Sequence, residues 1–300
     1  MIDASFHLVE ANTVARRLLP GAQAGTTQNV DPATLVGVGG NVILDASSTI
    51  NVNSDLALTA SGATLTMQAG SDINVNANVS TNNGAISFSS GTGGFTLASG
   101  KTIDAGNATI SIDANGGGGS GSVTLSGALA TTNTGNSAIR IVDATNVQLG
   151  DVATGSGAGL ITLIFSGTGT QAAGSSISAG KVLKDGAGTL VLSRANGYTG
   201  GTQVDNGTLR IDGSTASAGS GAIDIGSNTL DVVNGASVGN DLLLVNGATL
   251  RSSAGTGTLS TGADLVLGNN DTLNLSSTGG GTLVVSRVID GSANGIDVVV

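Results

Sequence analysis

The sequence contains no cysteine and a single histidine, and these shortages exclude several classes of function. Without cysteine, neither disulfides nor thiolate metal sites can form. A serine-type triad would have to use His7, which lies far from any nucleophile motif, so we expect an ordinary surface histidine there. The longest apolar runs are shorter than the about 18 residues that a membrane-spanning helix needs, so we expect no membrane insertion by this segment.

Large rings and proline are also scarce. The chain has no tryptophan, one tyrosine, four phenylalanines and two prolines among 300 residues. A compact globule of this length usually centres its core on several large rings. The composition therefore predicts a thin and regular interior made of valine, isoleucine and leucine.

The charged residues indicate strands and turns in place of helices. Every acidic residue except Glu10 is aspartate, which favours turns because its short carboxylate accepts hydrogen bonds from nearby backbone N–H groups. Glutamate and lysine, which helical proteins use freely, are few. The net charge of −10 argues against nucleic acid or anionic lipid as a partner.

A rhythm of short apolar–polar–apolar triplets begins near Asn41 and continues almost to the end of the chain. The first five triplets are Val42–Leu44, Ile50–Val52, Leu56–Leu58, Leu65–Met67 and Ile73–Val75. Such alternation predicts strands that direct their outer two side chains inward and their middle side chain towards water. Glycine, serine, alanine and aspartate fill the separators, which is typical of turns.

The length and regularity of this rhythm select one fold. It covers most of the chain, which is more than a single sandwich normally needs, and its strands are too short and too poor in rings for a membrane barrel. We therefore predict an all-β fold, a right-handed parallel β-helix with three short strands per coil. Three such strands give a coil of about 22–25 residues, within the range of solenoid repeats.

One part of the chain carries a recognisable motif. Residues 184–193 read KDGAGTLVLS, residues 198–202 read YTGGT, and residues 206–211 read NGTLRI. This order resembles the autotransporter-associated β-strand repeat, also called the passenger-associated transport repeat, of bacterial surface proteins. Residues 280–286 resemble the opening of a second copy. Residues 41–150 are similar, more weakly, to the repeats of filamentous-haemagglutinin-like exported adhesins.

The resemblance implies a structural passenger or stalk without catalytic activity on the surface of a Gram-negative bacterium. It implies a C-terminal β-barrel translocator outside this segment, and host or environmental glycans or proteins as partners, bound weakly and multivalently. We expect residues 1–34 to form a leader or linker with a short helix over 5–19 or a cap. Residues 35–180 are expected to form a β-helix of haemagglutinin-like repeats. Residues 181–300 are expected to continue it with the autotransporter-associated repeat, truncated at the C-terminus.

Two alternative functions remain open on the same fold. A pectate-lyase-like enzyme would need two carboxylates about 5–10 Å apart, and the nearest candidates are the pairs Asp205 with Asp212 and Asp264 with Asp271. Seven residues usually carry such a chain around a corner, so neither pair is assigned a catalytic role.

A calcium-binding repeat protein is the other alternative. It would need glycine-rich turns before Asn270-Asp271, where Val266, Leu267 and Asn269 stand instead. We therefore assign no catalytic, cofactor or metal residue. We expect Tyr198, the lone large ring of its neighbourhood, to cover a corner of the coil.

Overall fold

The protein winds its short strands into a stack of coils. The computed structural model describes residues 5–10, 13–15, 35, 39–114, 120–155, 159–178, 180–260, 265–267, 271–286 and 297–299. These residues contain 34 strands, which are distributed over four sheets.

The first sheet has thirteen strands, and its strands beyond the first two recur once per coil. In chain order they are β1 (Ser5–Glu10), β2 (Thr13–Ala15), β3 (Val42–Ala46), β6 (Leu65–Ala69), β9 (Ile86–Ser89), β12 (Ile110–Asp113), β15 (Ile139–Ala144), β18 (Leu160–Phe165), β21 (Lys181–Asp185), β23 (Thr202–Val204), β25 (Ile223–Gly226), β28 (Leu242–Leu244) and β31 (Leu265–Val266).

The second sheet has twelve strands and forms another face of the stack. They are β4 (Ile50–Val52), β7 (Asp72–Val75), β10 (Gly94–Leu97), β13 (Ser122–Leu125), β16 (Val147–Leu149), β19 (Thr168–Gln171), β22 (Thr189–Leu192), β24 (Thr208–Asp212), β26 (Thr229–Val233), β29 (Ala248–Ser252), β32 (Thr272–Ser277) and β34 (Asp297–Val299).

The remaining strands form two shorter sheets. The six-stranded sheet comprises β5 (Leu56–Ser61), β8 (Val79–Asn82), β11 (Thr102–Asp104), β14 (Ala128–Ala130), β17 (Asp151–Ala153) and β20 (Ile177–Ser178). The three-stranded sheet comprises β27 (Ser237–Val238), β30 (Thr256–Leu259) and β33 (Thr282–Val285).

The pairing pattern is that of a parallel β-solenoid of about ten turns, which confirms the predicted fold class. From β3 onward, consecutive strands enter different sheets, and most strands pair in parallel with their counterpart one coil later. The advance per coil ranges from 18 residues, between Gly226 and Leu244, to 29 residues, between Ile110 and Ile139. Right-handed winding stays a prediction.

The number of strands per coil changes along the stack. Most coils place one strand in each of three sheets, as β6, β7 and β8 do. Two successive coils instead have two strands each, β21 with β22 and β23 with β24. Residues 193–201 and 213–222 therefore run without strands where other coils add a third one.

The interior consists of in-register columns of aliphatic side chains. Val42 pairs with Leu65 and Leu65 with Ile86, and all three residues have no exposed surface. Each coil therefore buries its apolar side chains mainly against the coils before and after it, as in other solenoids. The rings of Phe88 and Phe95 add a contact across the interior, with centroids 4.8 Å apart.

The outward positions carry polar side chains that also stack from coil to coil. The amide of Asn74 donates a hydrogen bond of 2.9 Å to the side-chain oxygen of Asn51, one coil earlier. Asn76 makes the equivalent bond to Asn53 at 2.9 Å. These ladders extend the same register to the surface, because the residues that pair through the backbone also place their side chains beside one another.

The structure corrects the expected helix over residues 5–19. In the described part of this segment β1 pairs antiparallel with β2 and with β3, where Phe6 lies opposite Leu44. Without β1, the outer edge of β3 would leave backbone N–H and C=O groups unpaired. A neighbouring strand can form hydrogen bonds with these groups, whereas a helix cannot. That residues 1–34 act as a leader or a cap stays a prediction.

We predict that replacing Leu209, which has no exposed surface, opens the coils on either side of it. Leu209→Ala should cost about 2–5 kcal/mol by leaving a cavity, and Leu209→Asp should cost more because an unpaired charge would be buried. Limited proteolysis with mass spectrometry should show faster cleavage within 184–211. Thr208→Asp, at the half-exposed neighbouring position, is the matched control. Slow cleavage in the Leu209→Asp chain would mean that this leucine does not face the interior.

Candidate functional site

Polar side chains interrupt the aliphatic columns in one region of the solenoid. Five buried residues form this group, which we call the polar core: Gln171, Lys184, Asn196, Tyr198 and Thr202. Burying a polar group without a hydrogen-bond partner is costly, so each of them needs a partner inside the protein. The polar core overlaps the two coils that lack a third strand.

Lys184 occupies an inward position in the first sheet. Leu163 precedes it in the same column and Val204 follows it, so an ammonium group stands where other coils place an aliphatic side chain. Lys184 has no exposed surface. Burial lowers the pKa of Lys184 from 10.5 to about 8, and the nearby carboxylate of Asp185 partly opposes this change.

Three backbone carbonyls and one ring satisfy the ammonium of Lys184. Its Nζ donates hydrogen bonds to the carbonyl oxygens of Asp185 at 3.1 Å, Gly186 at 2.6 Å and Asn206 at 2.9 Å. It also lies 4.7 Å from the centre of the Phe165 ring, in a cation–π arrangement. Phe165, Gly186 and Asn206 belong to three successive coils, so this one cation links the turns of all three.

Asn196 takes the place of the missing third strand beside β20. Its side-chain oxygen accepts the backbone N–H of Ile177 at 2.9 Å, and the N–H of Gly197 donates to the carbonyl of Ile177 at 3.0 Å. Gln171 donates its amide to the same Asn196 oxygen at 2.8 Å. The edge of the six-stranded sheet is therefore closed by a side chain and one backbone bond instead of a full strand.

In the next coil, Ser217 also makes hydrogen bonds where a third strand is missing. The N–H of Asn196 donates to the hydroxyl of Ser217 at 2.8 Å, and the amide of Asn196 donates to the carbonyl of Ser217 at 2.7 Å. The N–H of Ser217 donates to the carbonyl of Arg194 at 3.0 Å. Asn196 thus connects its own loop and the loop of Ser217 to β20. Its hydrogen bonds keep these segments aligned, which backbone pairing between strands does in the other coils.

Tyr198 and Thr202 complete the polar core. Thr202 stands between Val182 and Ile223 in an otherwise aliphatic column, and its hydroxyl lies 2.6 Å from the hydroxyl of Tyr198. Burial raises the pKa of Tyr198 above its ordinary value, although the Thr202 hydrogen bond opposes this rise. Tyr198 therefore serves a packing role at a corner, and its ring is only 1% exposed.

Glycine is required where these turns approach the neighbouring coil. Gly201 and Gly207 have φ angles of 87° and 89°, a region that side-chain-bearing residues rarely adopt. A Cβ on Gly207 would lie 2.3 Å from the carbonyl oxygen of Gly188 and 2.9 Å from the Nζ of Lys184. Any larger residue at 207 would therefore disturb the environment of the buried cation.

A second polar cluster lies on the outer face of the second sheet. Arg210, Asp231 and Arg251 follow one another in register on β24, β26 and β29. Asp231 is fully buried although its position faces outward. Arg210 approaches its carboxylate to 2.8 Å and Arg251 to 3.3 Å, and the Ser253 hydroxyl donates to it at 2.7 Å.

These contacts determine the charge of Asp231. Burial raises its pKa, but the hydrogen bonds from Ser253 and Arg210, together with the charges of Arg251 and Arg210, outweigh burial and hold the pKa below 3.8. Asp231 consequently stays ionised at neutral pH. Its contribution to stability is complete above the unfolded-state pKa and is lost as pH falls through the lower folded-state value.

Asp205 and Asp212, the first candidate pair of catalytic carboxylates, are placed by different sheets. Asp205 accepts a hydrogen bond from Gln203 after β23 in the first sheet, whereas Asp212 accepts one from Asn234 at the end of β24 in the second sheet. Asp264 lies outside the described residues. Of that second pair, Asp271 alone is described, and it has an interaction partner.

The other sequence candidates give no metal or membrane site among the described residues. Asn270 of the candidate calcium turn, and the side chain of His7, lie outside them. Within them, no group of three or more His, Asp or Glu side chains could hold a metal ion. The same described residues contain no helix with the length and apolar character needed to cross a membrane.

Sequence reasoning missed the polar core as a unit. The motif contains Lys184, but the sequence assigned no role to Lys184 or to Asn196. The apolar–polar–apolar pattern gave no signal for Lys184, because in Val182-Leu183-Lys184 the leucine takes the outward position and the lysine an inward one. The contacts of Asn196 across residues 171–217 could not be read from spacing, because the strandless loops break the triplet rhythm.

We predict that Lys184→Met destabilises the coils around residue 184 by about 2–4 kcal/mol. Methionine fills similar space but leaves three buried carbonyl oxygens without their donor, each of which carries a desolvation cost. Urea denaturation should report the loss. Lys181→Met, at a half-exposed position three residues earlier, is the matched control and should change stability by less than about 0.5 kcal/mol. Equal effects of the two substitutions would contradict a structural role for the buried ammonium.

Comparison with known proteins gives two matches and one negative result. Residues 182–211 match the passenger-associated transport repeat. Over 128 residues, 38% of this chain, the sequence is 34% identical to the adhesin BmaC autotransporter of Brucella suis biovar 1 (strain 1330). The matched region spans 4% of the length of that protein. No solved structure matches the chain significantly.

The matched repeat coincides with the structural feature that distinguishes this part of the solenoid. It begins at Val182 and ends at Ile211, so it covers nearly all of β21 to β24 and the first strandless segment, and it includes four of the five residues of the polar core. One segment of this parallel β-solenoid thus matches the passenger-associated transport repeat, and 38% of the chain is similar to part of an autotransporter adhesin.

Proposed function

We propose that this chain is a structural, non-catalytic passenger or stalk segment of a surface-displayed adhesin-like protein of a Gram-negative bacterium. The observation that carries the proposal is that the transport repeat lies within a parallel β-solenoid whose stacking continues on both sides of it. A translocator elsewhere in a longer protein would export the segment, and the segment would then hold binding surfaces away from the cell.

The physics of the fold supports a stalk. In a solenoid each coil contacts mainly its two neighbours, so length can be added without a new core and stability is nearly a sum over coils. Parallel pairing continues coil by coil from β3 to β31 in the first sheet and from β4 to β34 in the second sheet, with register shifts in β15 and β25. Such a structure resists bending, because bending would separate hydrogen-bonded strands on one face.

The described clefts do not favour an enzyme. A cleft of 240 Å³ beside Asp143 has that single carboxylate, with Phe165 and Gly186 among its other lining residues. A wider cleft of 410 Å³ between Leu275 and Leu283 has no acidic residue. Glycoside cleavage by paired carboxylates would need two such groups on opposite sides of one sugar bond.

The surface favours weak and repeated binding over one tight site. The described outer positions are mainly threonine, serine, asparagine and glycine. Tyrosine is one of the residue types that anchor tight interfaces, but Tyr198 is buried. We propose that host or environmental surface glycans or proteins are bound weakly by one chain. Many copies on a cell would then raise the total affinity through multivalency.

We predict that the chain behaves as a passenger when it is fused between a secretion signal and an autotransporter β-barrel. With an N-terminal epitope tag, intact Gram-negative cells should be labelled by antibody and should lose the label on mild protease treatment. The same fusion without the barrel is the control, and it should stay inside the cell envelope.

Retention of the complete fusion in the periplasm at equal expression would contradict the passenger proposal. Release of unsaturated or reducing sugar ends from polygalacturonate by the purified chain would instead favour the enzyme alternative.

A further inference from the structure

We propose that the outer face of the second sheet around Arg210 and Arg251 binds an acidic polysaccharide through its carboxylate or sulfate groups. This inference rests on the proposed adhesin-like function and names the ligand class and the residues. It is carried by the arginine contacts around Asp231, by the surplus charge they leave, and by the flat hydroxyl-bearing sheet on which they lie.

The carboxylate of Asp231 already accepts five hydrogen bonds. Its Oδ2 accepts them from Nε and Nη2 of Arg210, from Nη2 of Arg251 and from the hydroxyl of Ser253, and its Oδ1 accepts one from the N–H of Ser253. Two oxygens offer about four acceptor positions, so Oδ2 is crowded with donors. The remaining N–H groups of the two arginines make no hydrogen bond to Asp231.

The remaining donors belong mainly to Arg251. Each guanidinium carries five N–H groups, and the structure gives Arg251 one hydrogen bond, from Nη2 to Asp231. Its Nε is buried and has no partner. Because two arginines share one aspartate, the cluster also keeps a net charge of about +1.

The cluster is accessible from solvent. The side chains of Arg210 and Arg251 are each 32% exposed, whereas Asp231 between them is fully buried. An approaching ligand therefore meets two cations and no anion at this point. Asp212, which follows Arg210 on β24 and accepts a hydrogen bond from Asn234, is the nearest acidic residue along that strand.

The shape of this face fits an extended polymer better than a small molecule. The strands of Arg210 and Arg251 lie two strand spacings, about 9.5 Å, apart. Their guanidinium groups converge on one oxygen of Asp231, on a sheet without a described cleft. Beside them Thr208, Thr229 and Thr249 form a column in register, so hydroxyl groups accompany the cations across the same three coils. The arginine cations can bind the acidic groups of a sugar chain that lies across the coils, and the threonine hydroxyls can form hydrogen bonds with its neutral groups.

The net charge of −10 does not prevent this binding at physiological salt. At 0.15 M ionic strength the Debye length is about 8 Å, so aspartates several coils away contribute little at the arginines. Guanidinium groups also bind carboxylate and sulfate oxygens in a bidentate manner, which lysine does not reproduce. Local geometry therefore outweighs the overall charge.

Surface plasmon resonance of the purified chain tests the proposal. Dextran sulfate, polygalacturonate and neutral dextran are immobilised in separate channels at 0.15 M salt, and inorganic sulfate is added as a competitor. We expect binding weaker than 1 μM to at least one acidic polymer and none to neutral dextran. The channels distinguish sulfate from carboxylate, and competition by free sulfate at millimolar concentration would point to the ion alone and would overturn the polymer proposal.

Arg251→Gln is the informative substitution, because Arg210 and Ser253 still satisfy Asp231 in that variant. We expect affinity for the acidic polymer to fall about fivefold or more, about 1 kcal/mol. Arg140→Gln, an equal change of charge on the outer face of the first sheet, is the matched control and should change affinity by less than about twofold.

If Arg251→Gln fails to fold by circular dichroism, Arg251→Lys keeps the charge but removes the planar fork, and it should weaken binding similarly. Equal losses in the Arg251 and Arg140 variants, or no binding to either acidic polymer, would overturn the proposal. Neither result would affect the surface-display experiment, which uses no ligand.

Discussion

In-register stacking between successive coils is the constraint on which the rest of this structure depends. Each inward residue must suit the residue one coil before and the residue one coil after, because those residues are its main neighbours. Val42, Leu65 and Ile86 meet this condition with aliphatic side chains alone. The same register also aligns the outward asparagines, so one geometric rule sets both the core and the surface.

The transport-repeat segment meets the constraint in a different way. It places a lysine, a threonine and an asparagine inside the stack, and each has the partners that a buried polar group requires. Asn196 keeps the third face in register where β-strand pairing stops. A solenoid can therefore narrow from three strands to two and recover without exposing its core, because side-chain hydrogen bonds replace the missing ladder.

Much of the fold could be predicted from the sequence, and the reasons are local. The triplet alternation at Ile50–Val52 and Ile86–Phe88 determines which side chains face inward, and aspartate and glycine between triplets mark the turns. Asp231 departs from this rule, because its position faces outward but two arginines and Ser253 cover it. Its burial depends on residues 21 and 20 positions away, which a local pattern cannot relate without the coil length. The helix expected near Phe6 failed for a similar reason, since the edge of β3 is a tertiary feature.

Native-state hydrogen exchange of an Asn196→Ala variant tests most directly whether side-chain bonds hold the strandless coils in register. The account predicts faster exchange at Ile177, whose N–H loses its acceptor in the variant. It also predicts faster exchange at Ser217, whose carbonyl loses the Asn196 donor, because the loop that holds the Ser217 N–H against the carbonyl of Arg194 then opens more often. Protection in distant strands such as β7 and β10 should be unchanged. Wild-type protection at both residues in the variant would contradict the account. It would show that backbone packing alone maintains the stack through the transport repeat.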